Sequence, residues 1–141
     1  MAQANLAEAG VQCEVLALDG GAYWSAGAAE RGKELGLSLQ LFKGKADPSF
    51  YTQWFTAAQV GEWNWQRWRS PEYDALHEAA ASTLDPQERI KAFVRMQQLM
   101  DESAAFIWLT HDALVFASQA WLKPAVLPNG NDWQLGHFAE A

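Results

Sequence analysis

The spacing of apolar residues predicts a chain in which short strands and helices alternate. Residues 11–18 alternate apolar and polar positions before they turn fully apolar, and residues 37–42 place three leucines on one face. Both patterns are typical of a strand that enters a sheet. Residues 105–109 and 114–117 are predicted as two further strands, or as one long strand with an interruption. Together these segments predict a sheet of several strands.

Helices are predicted between these strands, beginning with two short ones. Residues 4–9 form an amphipathic segment that Gly10 would close as a C-terminal stop. Residues 22–34 are predicted to be helical in part, because two internal glycines weaken the helix there. Asp19-Gly20-Gly21 is predicted as the turn before this second helix.

Three later helices are predicted to begin with the same sequence pattern, a residue with a capping side chain followed by proline. The capping oxygen accepts a hydrogen bond from the first turn, and proline suits the first helical position. The third start also has Glu88 at the capping-box position and leads an apolar stripe to about Glu102. The second and third helices should pack together across their short loop. The three starts are Asp47-Pro48, Ser70-Pro71 and Asp85-Pro86.

Composition narrows the class of protein. The chain has 141 residues, of which 50% are hydrophobic, enough for one domain with a core. Its 17 acidic and 10 basic residues give a net charge of −7, so nucleic acid is not expected as a partner. The single cysteine, Cys13, excludes an internal disulfide framework and a zinc site made of four cysteines.

The N-terminus and the apolar runs bear on location. No run approaches the roughly 20 apolar residues that span a bilayer. The first residues show no signal-peptide pattern. The opening helix also lacks a preceding layer to pack against, which suggests a piece of a longer protein.

Catalysis is not expected. The histidines, His77, His111 and His137, lack metal-ligand spacing. His111-Asp112 follows an apolar strand, yet no nucleophile motif accompanies it. The glycines form no phosphate-binding loop. We therefore expect neither enzymatic activity nor a metal or cofactor.

The most informative segment is Trp63-Asn64-Trp65-Gln66-Arg67-Trp68, in a chain with eight tryptophans. Indoles with a few polar groups are the usual lining of a pocket for an organic ligand. A core role for some of these indoles stays open, as does an ion pair of Arg67 with Glu62 or Glu72. Asp47 is first of all a helix cap and secondly a ligand contact. The candidate ligand-binding residues are Lys43, Asp47, Trp63, Asn64, Trp65 and Arg67.

The order of these motifs resembles a known family. Asp47-Pro48-Ser49-Phe50, the aromatic segment, Ser70 to Leu76, Asp85 to Arg89 with its helix, and Phe106-Ile107-Trp108-Leu109 follow one another. With the helix-into-strand opening, this order resembles the extracellular solute-binding proteins of ABC transporters, in the peptide, opine and nickel class. The resemblance covers nearly the whole chain.

The resemblance implies an α/β fold, part of the C-terminal lobe of a two-lobe periplasmic binding protein. Residues 1–118 would belong to that lobe, and residues 119–141 would return to pack on an N-terminal lobe that this chain lacks. It further implies a small organic solute held between the lobes, a periplasmic location in bacteria, and an ABC transporter permease as partner.

One position departs from the family pattern. Peptide-binding members carry an aspartate in the loop after the second strand, where this chain has Gly44 between Lys43 and Lys45. A carboxylate is the natural partner of a peptide's ammonium group, so the ligand stays open among peptide, opine and sugar. The alternative function is a free-standing carbohydrate-binding module with a tryptophan platform. Such modules are nearly all strand, whereas helices are predicted here.

Overall fold

The structure, a computed structural model, describes residues 2–42, 47–110, 115–127 and 133–141, without the side chain of residue 29. Within these ranges the chain is mainly helical. The helices are α1 (Ala2–Glu8), α2 (Gly20–Gly27), α3 (Ser49–Thr52), α4 (Pro71–Ser82) and α5 (Pro86–Glu102). Short 3-10 turns cover Ala29–Glu34, Gln53–Phe55, Ala57–Gln59 and Leu135–His137.

The hairpin of α4 and α5 is the central unit, and its caps agree with the sequence. The Ser70 side chain accepts a hydrogen bond from the Tyr73 N–H at 3.2 Å, and Asp85 accepts one from the Gln87 N–H at 2.8 Å. Proline occupies the first turn of both helices. The predicted capping box is wrong in one detail, because the Glu88 carboxylate pairs with Lys91.

The core lies between this hairpin and the segment that follows α3. It holds Phe55, Tyr73, Met96 and Met100, all buried. The Tyr73 hydroxyl donates a hydrogen bond to the Thr52 carbonyl at 2.9 Å. Partly buried residues enclose this group: Phe42, Trp68, Leu76, Phe93, Leu99 and Phe106.

The N-terminal helix ends where the sequence predicts. Gly10 has a φ of +82°, in the left-handed region that favours glycine. The Val11 N–H donates to the Leu6 carbonyl at 2.8 Å, and the Gly10 N–H donates to the Ala7 carbonyl at 3.0 Å. These two bonds form a Schellman motif.

The predicted strands are wrong in the described residues. Residues 11–18, 37–42, 105–109 and 115–117 have no strand pairing, and most of their large apolar side chains are exposed. A strand needs a neighbour for its N–H and C=O groups, and none lies beside these segments within the described ranges. Residue 114 lies outside those ranges. The α/β fold class therefore stays a prediction.

The only sheet among the described residues joins β1 (Leu122–Lys123) to β2 (Ala139–Glu140) as an antiparallel pair. Nearby, Trp133 packs against Phe116 with ring centroids 5.0 Å apart. The proposed boundary at residue 118 is untested. No helix of the described residues has the length and apolar character needed to cross a bilayer.

Candidate functional site

Two half-exposed indoles meet at one surface of the molecule. Trp24 lies on α2, and Trp63 lies in the turn after the 3-10 segment Ala57–Gln59. Their ring centroids are 5.5 Å apart and their planes are inclined at 69°. Trp24 is 47% exposed and Trp63 is 45% exposed. We call this pair the indole corner, and large apolar faces left together in water are typical of binding surfaces.

Other aromatic rings support the indole corner from beneath. Trp65 is only 6% exposed and contacts Trp24 at 5.7 Å and Tyr23 at 5.1 Å between centroids. Trp54 stacks on Trp63 with ring centroids 6.1 Å apart and planes inclined at 29°. The two exposed indoles therefore rest on packed rings, which limits the orientations they can adopt.

Asn64 fixes the turn that carries Trp63. Its side chain is fully buried, and its Nδ2 lies within hydrogen-bond distance of three backbone carbonyls. The carbonyls belong to Phe55 at 3.2 Å, Thr56 at 3.1 Å and Trp68 at 2.8 Å. Asn64 thus holds the chain together on both sides of the turn and does not reach the surface.

Trp65 and Arg67 follow Asn64 in the same segment. The Trp65 Nε1–H donates to the Glu62 carbonyl at 2.9 Å. Arg67 has a φ of +55°, an uncommon conformation for a residue with a side chain. The pKa of Glu30 is lowered mainly by its hydrogen bond to Lys33 and in smaller part by the charge of Arg67. The guanidinium of Arg67 therefore lies within electrostatic range of the 3-10 turn Ala29–Glu34.

Asp47 has a structural role at the start of α3. Its Oδ1 accepts from the Ser49 N–H at 2.9 Å and the Ser49 hydroxyl at 2.6 Å. These two hydrogen bonds are the main cause of the lowered pKa of Asp47, and the charge of Arg89 lowers it further. The Arg89 guanidinium also donates to both carboxylate oxygens, at 2.8 and 2.7 Å. Asp47 therefore connects α3 to α5.

The structure separates the six residues singled out from the sequence. Trp63 is at the surface, Trp65 is buried against Trp24, and Asn64 is buried in the turn. Lys43 lies outside the described residues. Sequence reasoning missed Trp24, although the adjacent Tyr23-Trp24 pair on a predicted helix was the available signal.

One hydroxyl–imidazole pair occurs elsewhere. The Thr52 Oγ1 lies 2.9 Å from the His77 Nδ1, and it also lies 3.3 Å from the Ser49 carbonyl. No carboxylate hydrogen-bonds to the imidazole among the described residues, where no group of three His, Cys, Asp or Glu side chains could hold a metal. This pair therefore lacks, among the described residues, the carboxylate that a catalytic triad needs.

Comparison of the chain with models of protein families, with curated proteins and with solved structures finds no match. The class of protein therefore rests on the motifs of the sequence and on the geometry of the indole corner.

Proposed function

We propose that this chain is the solute-binding component of an ABC importer and that it holds a small organic ligand at the indole corner. The observation that carries the proposal is the contact between Trp24 and Trp63, each nearly half exposed. Exposing two adjacent indoles to water is costly unless a ligand covers them. Binding without catalysis is the chemistry that such a surface supports.

The exposed apolar segments support a second lobe. Leu37, Leu39 and Leu41 are all exposed, as are Ile107 and Leu109. Segments of this kind acquire a partner when a further sheet or domain packs on them. In the proposed importer component, that partner is the N-terminal lobe, and the ligand lies between the two lobes.

The periplasmic location and the permease partner rest on the motif resemblance alone. They belong to the proposal because a solute-binding component delivers its ligand to a permease. Tagging the full coding sequence with an export-dependent reporter would test the location directly. Retention in the cytoplasm would contradict the importer assignment.

A carbohydrate-binding module is the rival function. Such modules present tryptophan platforms on sheets. Here Trp24 lies on a helix and Trp63 lies in a turn, and the described residues contain five α-helices and one two-stranded sheet. This architecture favours the importer component over the rival.

Saturation-transfer NMR on the isolated chain would test the proposal. The ligands would be trialanine, octopine and cellotetraose, offered to the wild type, to Trp63→Ala and to Trp121→Ala. Trp121 is 63% exposed and makes no ring contact with the indole corner, so it serves as the matched control. We expect weak binding of trialanine or octopine that Trp63→Ala abolishes and Trp121→Ala retains.

Three other results would contradict the proposal. Binding of cellotetraose alone would favour the carbohydrate module. Binding of octopine or trialanine with low-micromolar affinity would show that one lobe suffices, against the two-lobe mechanism. Equal saturation-transfer signals from Trp63→Ala and Trp121→Ala would show that the ligand does not bind at the indole corner.

A further inference from the structure

We infer that the group received by the indole corner is a quaternary ammonium. This inference rests on the proposed function, since it names the chemical class of ligand for the same site. It is carried by the geometry of the two indoles and by the distribution of charge around them.

The geometry provides two aromatic faces for one cation. A cation is attracted to an indole face when it lies within about 6 Å of the ring centroid. The centroids of Trp24 and Trp63 are themselves 5.5 Å apart, and the planes meet at 69°. A trimethylammonium group placed in the angle between the two planes can therefore lie within this distance of both ring centroids. Its methyl groups also cover apolar surface on each ring.

The cation–π contacts of the described residues do not involve Trp24 or Trp63. The one cation–π contact there places the Arg89 guanidinium over the Phe93 ring on α5, at 5.5 Å. Three further basic side chains are held in ion pairs with carboxylates: Lys33 with Glu30, Lys91 with Glu88, and Arg95 with Glu72 and Glu102. A cation from outside would bind at the exposed part of each indole, away from the rings of Trp54 and Trp65.

The charge of the chain favours a cationic ligand over an anionic one. The net charge is −7. Glu62, next to Trp63, is exposed and forms no ion pair with any described residue. The π face of an indole is electrically negative, so the cationic end of a ligand would lie against the ring and any carboxylate of that ligand would point away from it.

A titration with choline and its uncharged isostere, 3,3-dimethylbutan-1-ol, would test this inference. The two molecules have nearly the same shape and differ in the positive charge. We expect choline to bind the wild-type chain about 5-fold more tightly, within the range that cation–π contacts provide. Chemical-shift titration by NMR measures both affinities even when they are weak.

Four variants make the test specific. Trp24→Ala and Trp63→Ala should each lose choline binding, whereas Trp121→Ala should retain it, with circular dichroism confirming that every variant folds. Glu62→Gln alters an exposed side chain and should weaken choline about 2-fold while leaving the isostere unchanged. Glu62→Gln therefore keeps the test informative if a tryptophan variant unfolds.

The outcomes separate this inference from the proposed function. Equal binding of choline and the isostere overturns the ammonium inference and leaves the ligand-binding function standing. No binding by choline, the isostere, trialanine, octopine or cellotetraose overturns both. A peptide with trimethyllysine, compared with its unmodified form, distinguishes a protein-borne ammonium from a free solute, and tighter binding of choline supports the solute.

Discussion

The indole of Trp65 lies against the backbone of Gly27 at the C-terminal end of α2. A Cβ atom on Gly27 would overlap Trp65 Cδ2 and Cε2, so only a glycine permits this approach. Since Trp65 lies beneath Trp24, the contact sets how closely α2 packs on the turn of Trp63. The separation of the two exposed indoles therefore depends on a residue with no side chain.

Replacing Gly27 by alanine should destabilise the protein by about 1–3 kcal/mol, as overpacking of a well-filled core does. Gly36→Ala is the control, because a Cβ there meets no atom within 4 Å. Urea unfolding should show a lower midpoint for Gly27→Ala and a midpoint near the wild type for Gly36→Ala. Equal midpoints would mean that the Gly27–Trp65 contact is absent in solution.

Asn64→Asp should be among the most damaging single substitutions. It removes the amide that reaches three carbonyls and puts an oxygen in its place, leaving buried acceptors without a donor. Each unsatisfied buried group costs about 1–3 kcal/mol. Asn5→Asp makes the same chemical change on exposed α1 and should alter the free energy of unfolding little. Thermal unfolding of the two variants gives the comparison, and similar melting temperatures would contradict the role of Asn64.

Removing the helix caps should give moderate and additive losses. Ser70→Ala and Asp85→Ala each remove an acceptor from the first turn of a helix and should cost about 1 kcal/mol. Asp85→Asn keeps an acceptor oxygen and should recover most of the loss. Guanidinium unfolding would measure all three, and a neutral Asp85→Ala would show that the α4–α5 loop does not need its cap.

The stability of the protein should depend on pH through His77. Burial lowers the pKa of this imidazole, while the charges of Asp74 and Glu78 act in the opposite direction. The unfolded histidine titrates near pH 6.5, so the unfolded state binds more protons as the pH falls through that value. The free energy of unfolding should therefore be constant above about pH 7.5 and decrease towards pH 5.

His77→Gln removes this titration and keeps a polar side chain beside Thr52. Urea midpoints measured from pH 7.5 to pH 5 should fall for the wild type and fall less for His77→Gln. Parallel curves for the two proteins would assign the pH dependence to other groups.

Hydrogen exchange should divide the isolated chain into protected and unprotected parts. Amides of α4 and α5 have helical partners and a buried face, so they should exchange slowly. Amides of residues 12–18 and 37–42 lack strand partners in the described structure and should exchange within the dead time of a manual experiment. Slow exchange in residues 37–42 would indicate that these residues form the strand that the sequence predicts.

Local signals in the sequence predicted the helices well. The cap at Asp85, the proline after it and the end at Glu102 act through neighbouring residues, and α5 has those bounds. The apolar stripe of α5 was predicted less well. Met96 and Met100 are buried, whereas Ile90 and Val94 are exposed on a face that no described element covers. The pattern indicates which residues are apolar and leaves open which of them find a partner.

Contacts between segments that are far apart along the chain could not be predicted from the sequence. The strand predictions failed because alternation does not supply a neighbouring strand. Trp24 was missed because its approach to Trp63 depends on how α2 packs on a turn much later in the chain. Among the proposed ligand residues, the sequence could not distinguish the exposed Trp63 from the buried Trp65.

The buried amide of Asn64 has a practical consequence for genetic screens. A screen that scores only ligand capture would rank Asn64 with the ligand-contacting residues. We expect loss of its amide to displace Trp63, although Asn64 itself does not contact the ligand. Scoring protein abundance in parallel would separate the two roles: Asn64 variants would lose both signals, and Trp63 variants would lose capture alone. Ligand recognition would then depend on the side chain of Asn64, which is buried and does not contact the ligand.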